Sequence, residues 1–123
     1  MSNLLEDVEL LITGIEPVIY ISAFPSDSID NICSLYLIPG RPPQHVFGQK
    51  KPAFRQPSFQ VRIRDNSYQL ALDRLTAIIE ELDGHNGING IMQIMAESDI
   101  IPLGKDTKDR SELICNFNAL TNY

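Results

Sequence analysis

The sequence lacks the features that mark secreted, membrane-spanning or disulfide-stapled proteins. No apolar run approaches the ~20 residues that a membrane-spanning helix needs, and the first residues, MSNLLEDVELL, are acidic where a secretory or transit segment would be basic. Only two cysteines occur, Cys33 and Cys115, and both lie in apolar runs. A chain of 123 residues buries enough surface to fold without a covalent staple. We therefore expect one soluble domain over residues 1–123, with two buried free thiols in a reducing compartment.

Residue groups that carry catalysis or hold cofactors are also missing. The two histidines, His45 and His85, have no Cys, His or carboxylate at metal-ligand spacing, and neither cysteine has a base beside it. The glycine-rich GHNGING, residues 84–90, follows a predicted helix, whereas a phosphate cradle precedes one. We therefore predict a protein that is not an enzyme and that has no metal or cofactor site.

Two long segments each lack charge of one sign. Residues 1–38 contain six acids and no Lys or Arg, residues 39–64 contain six bases and no acid, and residues 65–123 carry ten acids against four bases. With a formal net charge of −6, the chain also lacks the basic excess that is typical of a nucleic-acid binder. The segregation is either the chance unevenness of a solvated surface or a device by which the basic middle of one copy meets an acidic flank of another.

What the sequence does contain is a clear succession of helix and strand patterns. Apolar residues recur at helical spacing over residues 4–15 and again over residues 68–82, where Asn66 with Gln69 predicts a capping box. Residues 59–64 alternate between apolar and polar, which is typical of a half-buried strand. Further strands are predicted over residues 18–24, 33–40, 91–104 with a break near Ser98, and 112–120. This order predicts an α+β fold in which two helices pack on one face of a largely antiparallel sheet.

A long proline-rich segment separates the second and third predicted strands. Residues 39–58, PGRPPQHVFGQKKPAFRQPS, hold five of the eight prolines and four of the six bases of the basic middle segment. Because proline lacks the N–H that a central strand needs, we predict an irregular basic arm over these residues. A loop this long inside a compact domain is usually functional. It either reaches a neighbouring molecule or folds back over its own sheet.

The third strand and second helix resemble a known family. A proline, the alternating strand FQVRIRD, an aromatic residue at the head of the next helix and the helix YQLALDRLTAIIEELDG are similar to the tail terminator, or tail completion, proteins of long-tailed bacteriophages. That family includes proteins labelled minor capsid protein in phages of Gram-positive hosts. LYLIPGRPP, residues 35–43, is similar to the family's strand that runs into a Gly/Pro turn, and NLLEDVELLI matches its N-terminal helix. The resemblance covers most of the chain.

The resemblance implies a structural virion protein. It implies that α+β protomers assemble into a hexameric ring, which caps the head-proximal end of the tail tube, stops its polymerisation and joins the tail to the head connector. The implied partners are further copies of this chain, the tail tube protein and the head-completion or connector protein. DNA would pass through the lumen without specific binding. The protein would assemble in the cytoplasm of the bacterial host and reside in the virion, in the tail or neck.

In a protein that assembles into a ring, we expect the basic residues to lie at a contact between protein subunits. Arg62 and Arg64 with the bases and phenylalanines of the arm could instead hold a nucleic acid, but the acidic flanks would repel a polyanion. An alternative of another class is a small ligand-binding or regulatory module, which would need a concave apolar pocket. We predict that the arm and the exposed strand arginines contact an acidic surface on another subunit, with two phenylalanines as apolar anchors. The predicted interface residues are Arg41, Phe47, Lys50, Lys51, Phe54, Arg55, Arg62 and Arg64.

Overall fold

Two helices and seven strands make up the part of the chain that the structure describes. The computed structural model describes residues 4–14, 19–21, 32–45, 52–88, 91–105 and 109–121. The helices are α1 (Leu4–Ile12) and α2 (Tyr68–Leu82). The strands are β1 (Ile19–Ile21), β2 (Ile32–His45), β3 (Pro52–Asp65), β4 (Asn86–Ile88), β5 (Ile91–Ala96), β6 (Ile101–Lys105) and β7 (Ser111–Thr121).

The strands form one sheet in the order β1-β2-β3-β7-β5-β4. β5 pairs with the second half of β7, and β6 pairs with its first half, so both strands lie on the same side of β7. β1 runs parallel to β2, whereas the other described pairings are antiparallel. The predicted α+β fold with a largely antiparallel sheet is therefore confirmed.

The core lies between the two helices and one face of the sheet. Phe59, Val61 and Ile63 of β3 are completely buried on this face, as their alternation predicts. The ring of Phe59 stacks on that of Phe117 in β7, with centroids 5.2 Å apart. The helices add to this core the buried residues Leu4, Leu5, Val8 and Ile12 of α1 and Ala71, Leu75, Ile78 and Leu82 of α2.

The turn from β3 into α2 is held by a buried carboxylate. Asp65 Oδ2 lies 3.0 Å from Arg74 Nη1, and Asp65 Oδ1 accepts a hydrogen bond from the Ser67 backbone N–H at 3.1 Å. Ser67 is the N-cap, because its hydroxyl accepts from the Leu70 N–H at 3.4 Å. The predicted capping box at Asn66 is therefore wrong by one residue. The start of α2 is fixed to the end of β3 by this ion pair.

The other end of α2 is fixed to β5. Asp83 is the C-cap, and its carboxylate Oδ1 accepts a hydrogen bond from the Ala96 N–H at 2.9 Å. Gly84 has a φ of +80°, a left-handed conformation that glycine adopts without strain, and its N–H donates to the Ile94 carbonyl at 2.8 Å. The helix is thus tied at both ends to strands of the same sheet.

The arm predicted to be irregular is mostly strand. β2 continues to His45 and β3 begins at Pro52, and the two strands stay paired, with register shifts between Ile38 and His45. Paired positions in this stretch of β2 are Ile38, Arg41, Gln44 and His45, so its three prolines fall at the irregularities. A proline is tolerated there because a bulge does not need its missing N–H. The end of this hairpin, residues 46–51, lies outside the described residues.

The predicted break in the sheet near Ser98 is confirmed. β5 ends at Ala96 and β6 begins at Ile101, and all five residues of β6 are exposed. Pro102 lies on β6, which pairs only with β7 in the described part of the chain. That edge position suits a residue without a backbone donor.

Replacing Leu75 by alanine should lower the free energy of unfolding by about 2 to 5 kcal/mol, because a completely buried side chain would leave a cavity under α2. Thr76→Ala is the matched control. Its hydroxyl is exposed and donates only to the Leu72 carbonyl of the same helix, so the expected change is within about 0.5 kcal/mol. Denaturant titration measures both variants, and a Leu75→Ala loss no larger than that of the control would contradict this packing.

Candidate assembly surface

The sheet face opposite the helices carries polar side chains in register across three strands. Gln60 of β3 lies between Tyr36 of β2 and Asn116 of β7, and Arg62 lies between Ser34 and Ile114. Because paired residues share a face, these side chains lie on the side away from the Phe59 core. This surface is called the polar face below.

Side-chain hydrogen bonds tie the polar face together. Gln60 Nε2 donates to Asn116 Oδ1 at 3.0 Å, and Arg62 Nη2 donates to Gln60 Oε1 at 3.3 Å. The Arg62 guanidinium carbon lies 4.9 Å from the centre of the Tyr36 ring, which is a cation–π arrangement. Arg62 is therefore held flat against its own sheet and is half-buried.

A second group of bonds joins the polar face to the link between β5 and β6, residues 97–100. Ser58 Oγ donates to Glu97 Oε1 at 3.1 Å, and Asn118 Nδ2 donates to Ser58 Oγ at 3.5 Å. The backbone N–H of Glu97 also donates to the Asn116 carbonyl at 2.8 Å. The link is thereby fixed against β7 although it is not a strand.

The structure separates the two strand arginines that the sequence groups together. Arg64 is only 2 % exposed, so the prediction that it lies on an exposed face is wrong. It sits at the end of β3, opposite Ile32 and Glu112 in the ladder, and its backbone carbonyl accepts a hydrogen bond from Arg74 Nη1 at 3.3 Å. Arg64 belongs to the junction between β3 and α2 and offers little surface to a partner.

The other predicted interface residues lie in or around the hairpin of β2 and β3. Arg55 is exposed and pairs with Thr121, the last described residue of β7. Arg41 and Phe54 have their backbones in β2 and β3, and their side chains are not described. The predicted residues outside the described ranges are Phe47, Lys50 and Lys51.

An acidic surface lies on the other side of β7 from this hairpin. Glu80, Glu81 and Asp83 are exposed at the end of α2, and Glu97 and Asp99 are exposed in the link between β5 and β6. The hydrogen bond from Ala96 to Asp83 brings these two segments together. Residues 75–104 contain no Lys or Arg. The five carboxylates are called the acidic edge below.

Sequence reasoning did not identify the acidic edge. Nothing in the linear sequence joins Glu80 and Glu81 to Asp99, which follows Glu81 by eighteen residues. The absence of Lys and Arg from residues 75–104 is the one sequence signal that could have indicated the surface. What joins the segments is the C-cap, which the fold alone supplies.

Cys115 lies beneath the acidic edge and is chemically protected. Both cysteines are free and fully buried, as predicted. Cys115 Sγ lies 3.4 Å from the Ser98 carbonyl oxygen. Burial raises the pKa of the Cys115 thiol to about 11; a hydrogen bond from the Ser98 side chain opposes this rise, and the Asp99 and Asp83 carboxylates add to it. The thiol is therefore neutral at physiological pH.

The described part of the chain has neither a metal-binding cluster nor a membrane-spanning helix. Within residues 4–14, 19–21, 32–45, 52–88, 91–105 and 109–121, no group of three or more His, Cys, Asp or Glu side chains is placed to hold a metal ion. Neither helix of the described chain has the length and apolar character that crossing a membrane requires.

Comparison with known proteins gives one sequence family and a similar solved fold. The family model described as bacteriophage tail terminator protein matches residues 4–123. A chain in the structure of the virion of a native gene transfer agent particle superposes with a TM-score of 0.62 at 14 % identity, covering 94 % of this chain and 84 % of that chain. At this identity the likeness shows the fold alone. No curated protein sequence matches.

Raising the pH from about 9 to 11 should destabilise the protein through Cys115 by about 2 kcal/mol. In the folded state the pKa of the Cys115 thiol lies above the ordinary value of 9.0. The contribution of Cys115 to the free energy of unfolding is therefore complete below pH 9 and is lost as the pH rises through about 11. Cys115→Ala removes this contribution while the lysines and tyrosines still titrate. Chemical denaturation at several pH values should therefore show that the free energy of unfolding falls more steeply with pH for the unmodified protein than for Cys115→Ala. Equal slopes would contradict the raised pKa of Cys115.

Proposed function

The chain belongs to the bacteriophage tail terminator family, and from this premise we propose that it forms a hexameric ring that closes the head-proximal end of the tail tube. The membership itself establishes a structural role in the phage tail and a place in the virion. In the proposal the ring stops tube polymerisation and joins the tail to the head connector. Its partners are further copies of the chain, the tail tube protein and the head-completion or connector protein, with assembly in the host cytoplasm.

The observation that carries the ring proposal is the hairpin of β2 and β3, whose described part reaches three residues past the last described residue of β7. Arg55 pairs with Thr121, the last described residue of β7, whereas β3 begins three residues earlier at Pro52. Residues 52–54 of β3 therefore lie past the described end of β7. A paired two-stranded extension with bases and no acids suits contact with an acidic surface of another molecule.

The proposed contact residues are those of the hairpin. Arg55 is the described base that is exposed there, and half-buried Arg62 lies further along the same strand. Phe47 and Phe54 supply apolar anchors, because charges at the rim of an interface govern rate and register more than affinity. Arg64 is left out because it is buried in its own protomer. The remaining contact residues in the proposal are Arg41, Lys50 and Lys51.

The ring lets DNA pass without binding it specifically. Each copy carries a formal net charge of −6, so a ring of copies repels a polyanion overall, and salt-dependent binding needs clustered cations that neutralise phosphates. On the polar face, Arg62 is engaged with Gln60 and Tyr36. An arginine that is already engaged within its own sheet is less available to neutralise a phosphate.

Reversing the charge of the hairpin in the variant Lys50→Glu, Lys51→Glu, Arg55→Glu should abolish assembly or shift it to a different salt concentration, with the melting temperature unchanged. The reason is that an interface contact is lost while the core is untouched. Sedimentation measures assembly alone and with the tail tube protein, and thermal melting is followed in parallel.

The control is Lys105→Glu with Lys108→Glu, which lowers the net charge by four units outside the hairpin, against six units for the triple hairpin variant. It should assemble normally. A large drop in melting temperature with assembly intact in the triple variant Lys50→Glu, Lys51→Glu, Arg55→Glu would show instead that the arm folds back on its own domain.

A further inference from the structure

The acidic edge and the basic hairpin lie on opposite sides of the central strand β7. The sheet order puts β2 and β3 on one side of β7 and puts β5 with its link to β6 on the other. A protomer that carries two different complementary surfaces on opposite sides forms heterologous, head-to-tail contacts, which close into a ring when the rotation permits. The arrangement therefore suits a contact between successive copies.

The hairpin of a protomer points away from its own acidic edge. Glu97 is bonded to Asn116, which lies opposite Gln60 of β3. The strand from Gln60 back to Pro52 spans about 26 Å at ~3.3 Å per residue, and β5 lies two strands from β3, a further ~10 Å across the sheet. Lys51 and Lys50 are one and two residues from Pro52 in the sequence and so lie within about 7 Å of it, which is too short to reach back along β3, and the acidic edge that they meet belongs to another molecule.

We propose that the acidic edge, at the end of α2 and the link between β5 and β6, receives the β2–β3 hairpin of the next copy. This inference rests on the proposed ring and names the surface that the hairpin contacts. Glu80 and Glu81 make no hydrogen bond or ion pair with the described residues through their carboxylates, so both remain available to the lysines of a neighbour.

The acidic edge is held rigid before any partner arrives. Asp83 is fixed by the Ala96 N–H, and the link is fixed by the bond from Glu97 to Asn116 and by the Asn116 N–H, which donates to Ser98 Oγ at 3.1 Å. A preorganised surface loses less conformational entropy on association.

A charge swap tests the pairing. The edge variant is Glu80→Lys with Glu81→Lys, the hairpin variant is Lys50→Glu with Lys51→Glu, and the combined variant carries all four changes. Each double variant alone should weaken assembly at least tenfold in the protein concentration required, and the combined variant should recover most of it, because the two charge reversals compensate. Analytical ultracentrifugation at two salt concentrations gives the readout, with melting temperatures measured for each protein.

The control for the edge variant is Glu6→Lys with Glu9→Lys, which makes the same charge change on α1 and should assemble normally. If the hairpin variant fails to assemble while the edge variant behaves like this control, the inference is overturned and the proposed ring stands. If the unmodified protein stays monomeric with the tail tube protein added, the proposed function itself fails. Should the lysine substitutions lower the melting temperature, Glu80→Gln with Glu81→Gln removes the charge without reversing it and must still weaken assembly.

Discussion

A slip of one residue in the pairing of β3 would exchange its core face for its polar face. Phe59, Val61 and Ile63 must meet the helices, and Gln60 and Arg62 must meet Tyr36 and Asn116 on the other side. The stacked rings of Phe59 and Phe117 and the amide bond from Gln60 to Asn116 both depend on the same register with β7. The position of the hairpin at one end of β3 and of α2 at the other follows from that register.

Two aspartates then fix α2 over this sheet. Asp65 binds Arg74 at the start of the helix, and Asp83 accepts the Ala96 N–H at its end. Because breaking a buried ion pair leaves an uncompensated charge, Asp65 is structural although it lies in an acidic chain. Asp83 has a double effect, since the same bond that ends the helix places Glu80 and Glu81 next to the link that carries Asp99. The acidic edge is thus a consequence of how the helix is capped.

Periodicity alone was sufficient to predict β3, α2 and the one-sided core, because each pattern there follows from local geometry. Predictions from periodicity were wrong where contacts between residues distant in the sequence determine the structure. Arg64 alternates in phase with Arg62, yet it is buried at the end of β3. The prolines of β2 indicated an irregular arm, but they fall at register shifts that leave the ladder intact. The acidic edge joins residues that are distant in the sequence, and the bonds from Ala96 to Asp83 and from Gly84 to Ile94 bring them together.

The mass of the purified protein, measured by light scattering or native mass spectrometry with and without the tail tube protein, tests the central claim most directly. The account predicts a particle about six times the 13.8 kDa of one chain, formed either alone or on addition of the tube protein. It also predicts that tube growth stops once this particle binds. A species of 13.8 kDa that ignores the tube protein under all salt conditions would contradict the account.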